Sequence, residues 1–197
     1  QVVVGEEAVP LSAFEFKDVF DPAGLRLLRR FEGGSDRGNP FVEFVFEHAL
    51  FTARKRITLS YGRRAVRLAY EVQACGDEPV RLSVDPFLAL RDFHATNKEA
   101  ALSWWTVVSA EDGLLVCSAR EQDVSVAVFA TRGELNWREN SDIWRAFRYR
   151  VEDERGMPDR DDLLRAGSFV TGPDEIVNCE LAAVGFVDSL AAGRDAL

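Results

Sequence analysis

The fold is decided by residues 41–90, which read FVEFVFEHAL FTARKRITLS YGRRAVRLAY EVQACGDEPV RLSVDPFLAL. Apolar and polar side chains alternate along this stretch with a period of two, which is typical of strands buried on one face only. In the first strand, Val42, Phe44 and Phe46 fall on one face. Glu43 and Glu47 fall on the other face, where we expect them to be surface charges. The pattern therefore predicts a half-buried β-strand.

Three further strands follow with the same alternation, over residues 51–59, 66–72 and 80–84. Polar turns that contain Gly62 and Gly76 separate them. Lys55 interrupts the pattern, because it falls on the apolar face of its strand. Short strands joined by tight polar turns predict an antiparallel meander with one dry face and one solvated face.

The second half of the chain repeats this pattern more loosely. We expect strands over residues 103–109, 114–117, 124–129, 142–151, 168–171 and 176–187, with Ile143, Phe147 and Tyr149 on one face of their strand. The highly charged residues 152–167 are expected to form a loop with at most one helical turn. Sheets must bury their apolar faces on one another. The sequence therefore predicts an all-β chain, in which residues 1–197 form a single antiparallel β-sandwich of supersandwich type with few or no helices.

The composition excludes several classes of protein. With 24 Lys and Arg against 33 Asp and Glu, the formal net charge is −9, which argues against binding to a nucleic-acid backbone. No apolar run approaches the roughly 18 residues that a membrane span needs, so no membrane partner is expected. The three cysteines, Cys75, Cys117 and Cys179, form no CxxC pair, so we expect reduced thiols in the cytoplasm and no metal. No phosphate-binding or cofactor motif is present, so no cofactor is expected.

Arg91, Asp92 and His94 form the first candidate site. They follow the strongly apolar residues 86–90, at a junction between a strand and a loop. Asp92 could orient the His94 imidazole or accept a bidentate hydrogen bond from Arg91. The alternative is that this cluster ties down a long loop and binds no ligand.

Four tryptophans, Trp104, Trp105, Trp137 and Trp144, form the second candidate site. Trp137 and Trp144 flank the polar residues 138–142, which contain Arg, Asn and Asp. Exposed indoles suit stacking on the apolar faces of sugar rings, while the neighbouring polar side chains bind the hydroxyl groups. The alternative for each tryptophan is ordinary packing in the core or in an interface.

Several of these strings resemble one family, the bacterial and archaeal-type glycogen debranching enzymes. Residues 44–57 (FVFEHALFTARKRI) are similar to a stretch in which aromatic residues precede a basic strand. Residues 86–94 (PFLALRDFH) are similar to the family's signature P-L-L-A-x-R-D-Y/F-H, which is the most specific match. Residues 144–156 and 161–169 resemble its segment Y-x-x-E-x-x-R-G … E-D-L-x-x-P-G-x-F. The motifs occur in the family's order over residues 40–187.

The resemblance implies an N-terminal β-sandwich that precedes an (α/α)6 barrel. In this family the barrel hydrolyses α-1,6-glucosidic branch points and carries the catalytic carboxylates. We therefore expect the chain to be the N-terminal fragment of a longer cytoplasmic amylo-α-1,6-glucosidase of glycogen catabolism, with the barrel absent and no catalytic residue of its own. The sequence lacks the R-K-Y-H-G-L-L type of segment that commonly precedes this region, which suggests a trimmed chain or a divergent member.

Two functions follow from the resemblance. The first is a non-catalytic domain that helps bind or orient branched α-glucan, with the C-terminal catalytic domain of the same parent chain and the glucan itself as partners. In that function Arg91, Asp92 and His94 face the active-site rim of the barrel or contact sugar. The alternative is a purely structural domain that packs on the barrel and makes no sugar contact. Glycoside hydrolysis by the fragment alone ranks below both.

Overall fold

The computed structural model describes residues 1–92, 95–98, 105–111, 114–119 and 124–186. These residues confirm the all-β prediction. Their strands, in chain order, are β1 (Val2–Val4), β2 (Glu7–Val9), β3 (Phe14–Glu15), β4 (Phe20–Asp21), β5 (Leu28–Asp36), β6 (Asn39–Glu47), β7 (Phe51–Leu59), β8 (Ala65–Ala74), β9 (Val80–Val84), β10 (Phe87–Leu88), β11 (Trp105–Glu111), β12 (Leu114–Ala119), β13 (Val124–Arg132), β14 (Asn136–Arg138), β15 (Asp142–Arg148), β16 (Arg160–Arg165), β17 (Ser168–Val170) and β18 (Ile176–Phe186). The helices described are α1 (Ala23–Leu27) and α2 (Arg150–Glu154). No helix within these ranges is long and apolar enough to cross a membrane.

The described strands form four antiparallel sheets. The largest has eight strands in the order β11-β12-β13-β18-β8-β7-β6-β5, and the next has five in the order β14-β17-β9-β1-β2. A small sheet has the order β10-β16-β15, and β3 pairs with β4 alone. The predicted meander is present as β6, β7 and β8, and β18 joins its open side from far along the chain. The prediction is wrong for the fourth strand, because β9 pairs with β1 and β17 in the five-stranded sheet.

The core lies between the eight-stranded sheet and the five-stranded sheet. Phe51 and Leu181 from the larger sheet pack into one cluster with Val80 and Phe169 from the smaller, and all four side chains are at most 1% exposed. The alternation predicted from the sequence explains this arrangement, because each strand presents its apolar residues to the opposite sheet. The chain is therefore a β-sandwich, as predicted.

The charged segment 152–167 is more ordered than predicted. It contains the end of helix α2 and the whole of strand β16, which pairs with β10 and β15. The sequence pattern missed β16 because Asp161, a charged residue, occupies a fully buried position of that strand. A buried carboxylate breaks the apolar period on which strand prediction relies.

Glu43 corrects the prediction that the acids of β6 are surface charges. Glu43 is only 6% exposed, although it lies on the outer face of the large sheet. Its carboxylate is 3.1 Å from Nε of Arg56, 3.5 Å from a terminal nitrogen of Arg30 and 3.6 Å from Nε of Arg54. Three arginine side chains from neighbouring strands therefore cover and neutralise it, which the sequence of one strand cannot reveal.

Lys55 lies on the core-facing side of β7, as its position in the sequence pattern indicates. Its ammonium group is 6.0 Å from the centre of the Phe44 ring and 5.9 Å from the centre of the Tyr70 ring. Burial lowers the pKa of Lys55, because a low dielectric disfavours the charged amine.

Replacing Lys55 with Met should raise the free energy of unfolding at neutral pH by about 1 kcal/mol, because the variant buries no charged amine. Between the lowered pKa of the folded state and the ordinary value of 10.5, the unfolded wild-type chain binds more protons than the folded chain. The stability of the wild type therefore rises with pH in that window, and the gain of the variant should shrink.

Urea unfolding across this pH range measures the effect. The matched control is Lys17→Met at an exposed lysine, which should give no such gain. A gain for Lys55→Met that stays constant with pH would contradict the prediction.

Candidate functional site

Arg91 is fixed by an ion pair that the sequence did not predict. Its Nε and Nη2 atoms donate hydrogen bonds of 3.0 and 2.9 Å to Oδ2 of Asp161 in strand β16. The hydroxyl group of Tyr149 donates to the same oxygen at 3.0 Å, and the backbone N–H of Asn97 donates to Oδ1 at 2.6 Å. The fully buried Asp161 carboxylate thus joins three separate segments of the chain.

The electrostatics of this network are set by burial and by the Asp161 charge. Burial acts to lower the pKa of Arg91, but the hydrogen bonds and charge of Asp161 outweigh it, so the pKa of Arg91 is raised. The pKa of Tyr149 is raised by burial first and by the Asp161 charge second. Arg91 is therefore a permanent cation and Tyr149 a neutral donor at physiological pH.

The described residues 91, 92 and 95–98 are tied to one another and to strand β16 by several hydrogen bonds. The backbone carbonyl of Asp92 accepts hydrogen bonds from Nη1 of Arg91 and from the N–H of Ala95. The N–H of Asp162 donates to the carbonyl of Asn97 at 3.2 Å. The Asp92 residue itself is exposed, and His94 lies outside the described residues. These contacts provide the loop anchor that the sequence allowed as an alternative, and a ligand role for the three residues stays a prediction.

Trp144 belongs to an aromatic cluster beside this network. Its ring centre is 5.3 Å from that of Phe14, 4.9 Å from that of Phe87 and 6.2 Å from that of Phe147. Trp144 and Phe147 share a face because β15 contains a β-bulge between them, with Ala146 at a φ of 61°. The prediction that Ile143 and Phe147 share a face is therefore wrong, since the extra residue of the bulge shifts the alternation.

Trp137 packs on the inner face of β14. Its ring is edge-on to that of Phe169 at 4.9 Å, and both residues lie on paired strands. Gly167 lies against the same indole, since a Cβ atom at Gly167 would be only 2.2 Å from it. Trp105 begins strand β11, and Trp104 lies outside the described residues. Trp137 and Trp144 thus contact the interior of the domain, and both remain partly accessible.

A polar cavity of about 260 Å³ lies on the outer face of the five-stranded sheet. Its lining includes side chains from four separate segments of the chain: Arg81, Asp85, Arg138, Asn140, Arg165 and Ser168. Asn140 and Ser168 are hydrogen-bonded at 3.1 Å, and Nη2 of Arg165 donates to the carbonyl of Asn140 at 2.9 Å. Nε of Arg165 is buried and has no hydrogen-bond partner among the described residues. The cavity thus offers donors and acceptors together, as hydroxylated ligands require.

The sequence indicated only part of this cavity. The sequence places Arg138 and Asn140 beside Trp137, but it gives no local signal that Arg81, Asp85 and Arg165 belong to the same site. They meet because β9, β14, β16 and β17 lie side by side or end near one another in the folded chain. Within the described ranges, no group of three or more His, Cys, Asp or Glu side chains could hold a metal ion.

Comparison with known proteins gives a family match and a fold match. Residues 1–174 match the family model described as "Glycogen debranching enzyme N terminal". A search of curated proteins found no match.

Among solved structures, a mutant of heparan sulfate lyase HepC from Pedobacter heparinus is similar with a TM-score of 0.54 and 6% identity over 82% of this chain and 22% of that chain. The same lyase without the mutation has a TM-score of 0.50, again at 6% identity with 82% and 22% coverage. A structure described as a kojibiose phosphorylase from the human microbiome has a TM-score of 0.42 and 11% identity over 98% of this chain and 23% of that chain. The chain thus spans less than a quarter of each structure, and the likeness to the lyase shows the fold alone.

Replacing Asp161 with Asn should lower the free energy of unfolding by about 3 to 5 kcal/mol, because it leaves the largely buried Arg91 guanidinium uncompensated. It should also make residues 91–98 more sensitive to limited proteolysis. The control is Asp153→Asn, which removes the exposed partner of Arg148 and should cost less than about 1 kcal/mol. Equal losses for the two variants in urea unfolding would contradict the proposed anchor.

Replacing Gly167 with Ala should lower the free energy of unfolding by about 2 to 4 kcal/mol, because the new methyl group collides with Trp137 and the φ of 154° is strained for an L-residue. Gly156→Ala is the control, since its φ of 69° is also positive but no atom lies within 4 Å of the added Cβ. It should cost only about 1 to 2 kcal/mol. Thermal unfolding followed by Trp fluorescence measures both variants, and a smaller loss at Gly167 than at Gly156 would be inconsistent with the packing of Trp137.

Proposed function

Because the chain belongs to the family of glycogen debranching enzyme N-terminal domains, we propose that it helps to bind or orient branched α-glucan for a catalytic domain of the same parent chain. In this proposal the parent is a glycoside hydrolase that cleaves α-1,6-glucosidic bonds, and its hydrolytic carboxylates belong to the catalytic domain. The observation that carries the proposal is the family match over residues 1–174.

The polar cavity of the five-stranded sheet is the proposed sugar contact. A glucan presents hydroxyl groups that donate and accept hydrogen bonds, and the cavity supplies both kinds of partner through Arg138, Asn140 and Asp85. The buried and unpaired Nε of Arg165 adds a donor whose burial without a partner is costly, so a ligand oxygen that accepted its hydrogen bond would be stabilised. The cavity is small and open, which suits one or two sugar units of a longer chain.

Arg91, Asp92 and His94 are proposed as the junction with the catalytic domain. The ion pair with Asp161 holds Arg91 rigidly, and Asp92 is exposed beside it. A rigidly held polar side chain such as that of Arg91 is suited to a fixed position against a neighbouring domain. Trp137 and Trp144 would support the adjoining surface, with their accessible edges available to sugar, and Trp104 and Trp105 remain candidates for stacking.

A structural role without sugar contact is the second candidate, and exposed apolar side chains favour it. Val19, Phe20 and Val151 are 61%, 47% and 54% exposed. They belong to two segments of the chain that are in contact, because the guanidinium carbon of Arg150 is 5.0 Å from the centre of the Phe20 ring. Apolar side chains grouped in this way are typical of a surface that another domain covers. In this candidate the covering partner is the catalytic domain of the parent chain.

Titration of the chain with maltoheptaose tests the proposal through the fluorescence of its four tryptophans. We expect a saturable change with half-saturation at about 1 mM, the affinity that a few hydrogen bonds supply. Replacing Arg138 with Ala should raise the half-saturation about threefold to tenfold, because one hydrogen-bond donor of the cavity is lost.

The matched control is Arg64→Ala, at an exposed arginine in the turn between β7 and β8 that does not line the cavity. It should leave the half-saturation unchanged. If neither maltoheptaose nor glycogen produces a saturable change, the sugar contact is wrong and the structural role remains. If both variants weaken binding equally, the cavity is not the contact.

A further inference from the structure

A second cavity, of about 320 Å³, lies on the outer face of the eight-stranded sheet. The turn between β5 and β6 forms one wall, and strands β7, β8, β13 and β18 form the floor and the other walls. Its lining consists of Asp36, Arg37, Asn39, Arg56, Thr58, Arg67, Ala69, Arg132 and Glu180. It belongs to the sheet opposite the proposed sugar contact, so it is a separate surface of the sandwich.

The register of the strands explains why a hollow forms here. Ala69 of β8 lies directly between Arg56 of β7 and Glu180 of β18. The short side chain of Ala69 is therefore flanked by two long side chains. Thr58 pairs with Arg67 in the next position of the same face, which adds a second short side chain beside a long one. Short side chains surrounded by long ones leave a cavity, and guanidinium groups form its rim.

The charges of the rim are not balanced. Four arginines, Arg37, Arg56, Arg67 and Arg132, face two acids, Asp36 and Glu180. Arg56 already donates to Glu43, and Glu180 accepts a hydrogen bond of 2.8 Å from Thr131.

The other three arginines, Arg37, Arg67 and Arg132, make no ion pair with any carboxylate in the part of the chain that the structure describes. Moreover, Nε of Arg67 is buried with no hydrogen-bond partner there. Unpaired cations at one hollow are unexpected in a chain with a net charge of −9. Of the three, Arg67 is only partly exposed, so leaving its buried Nε without an acceptor costs stability unless an anion joins it.

The turn that carries Arg37 provides a second, independent observation. Arg37 has a φ of 49° and the following Gly38 a φ of 82°. Positive φ at both central residues is the geometry of a type I′ hairpin turn, which favours Asn or Gly at the first position. An arginine there is strained, because its Cβ atom crowds the backbone. Strain of this kind is typical of positions that serve binding rather than folding.

We propose that this cavity binds a phosphate-type oxyanion, either free phosphate or the phosphate group of a sugar ester. The planar guanidinium groups of Arg37, Arg67 and Arg132 supply several N–H donors to such an anion. An uncharged sugar fits less well, because the guanidinium donors of this cavity outnumber its acceptors. The proposal does not depend on the glucan contact of the other sheet.

Isothermal titration of the chain with inorganic phosphate, with glucose 6-phosphate and with glucose tests the proposal at constant ionic strength. We expect saturable binding of one or both phosphates at about 1 mM or below, and none of glucose. Tighter binding of glucose 6-phosphate would identify a sugar ester as the source of the anion. Equal binding would identify free phosphate as sufficient.

Arg37→Asn is the most informative variant, because asparagine suits the turn and removes the charge. It should weaken phosphate binding about tenfold while leaving the unfolding temperature unchanged or higher. Arg67→Gln should weaken binding to a similar extent. Arg26→Gln, at an exposed arginine of helix α1, is the control for loss of one positive charge and should leave binding unchanged.

Two outcomes would overturn the proposal. One is the absence of saturable binding for both phosphates to the wild-type chain. The other is that the Arg37→Asn and Arg67→Gln variants bind phosphate as strongly as the Arg26→Gln control does. Because glucose and maltoheptaose are uncharged, failure here is distinguishable from failure of the glucan contact.

Discussion

The structure depends on one constraint, which is that the apolar face of the eight-stranded sheet must be removed from water. The five-stranded sheet covers it, and the side chains that meet there, such as Phe51 and Phe169, are fully buried. Apolar burial of this kind is the dominant favourable contribution to folding. Since side chains alternate along each strand, burying one face of each sheet leaves the opposite face polar. Both cavities lie on these polar outer faces.

Buried carboxylates organise the polar parts in the same way that apolar side chains organise the core. Asp161 joins the loop after β10 to strand β16 through Arg91, and Glu43 gathers three arginines on the outer face of the large sheet. A buried ion pair contributes little net stability compared with apolar packing, but breaking one is costly. Such pairs therefore define which segments must lie together, and here they hold the small sheet and the arginine-rich face in place.

The two outer faces differ in chemistry, which suits them to different ligands. The cavity of the five-stranded sheet combines Asp, Asn, Ser and Arg side chains and offers both donors and acceptors. The cavity of the eight-stranded sheet has four arginines and two acids. A glucan beside the first and an oxyanion in the second would occupy opposite sides of one sandwich, so a single domain could respond to both without competition between them.

The sequence by itself determined the all-β class, the meander of β6 to β8 and the family, because these depend on local alternation and on short ordered motifs. It also placed Lys55 on the core side and Arg91 in the loop that follows an apolar strand. Only the tertiary structure decided that Asp161 is the partner of Arg91, that Glu43 is buried, and that Trp144 and Phe147 share a face. Each of these depends on residues far apart in the chain or on a bulge that shifts the alternation by one residue. A period-two pattern records which face of a strand is apolar, but the partner of a buried charge is set by strand order and register, which that pattern does not contain.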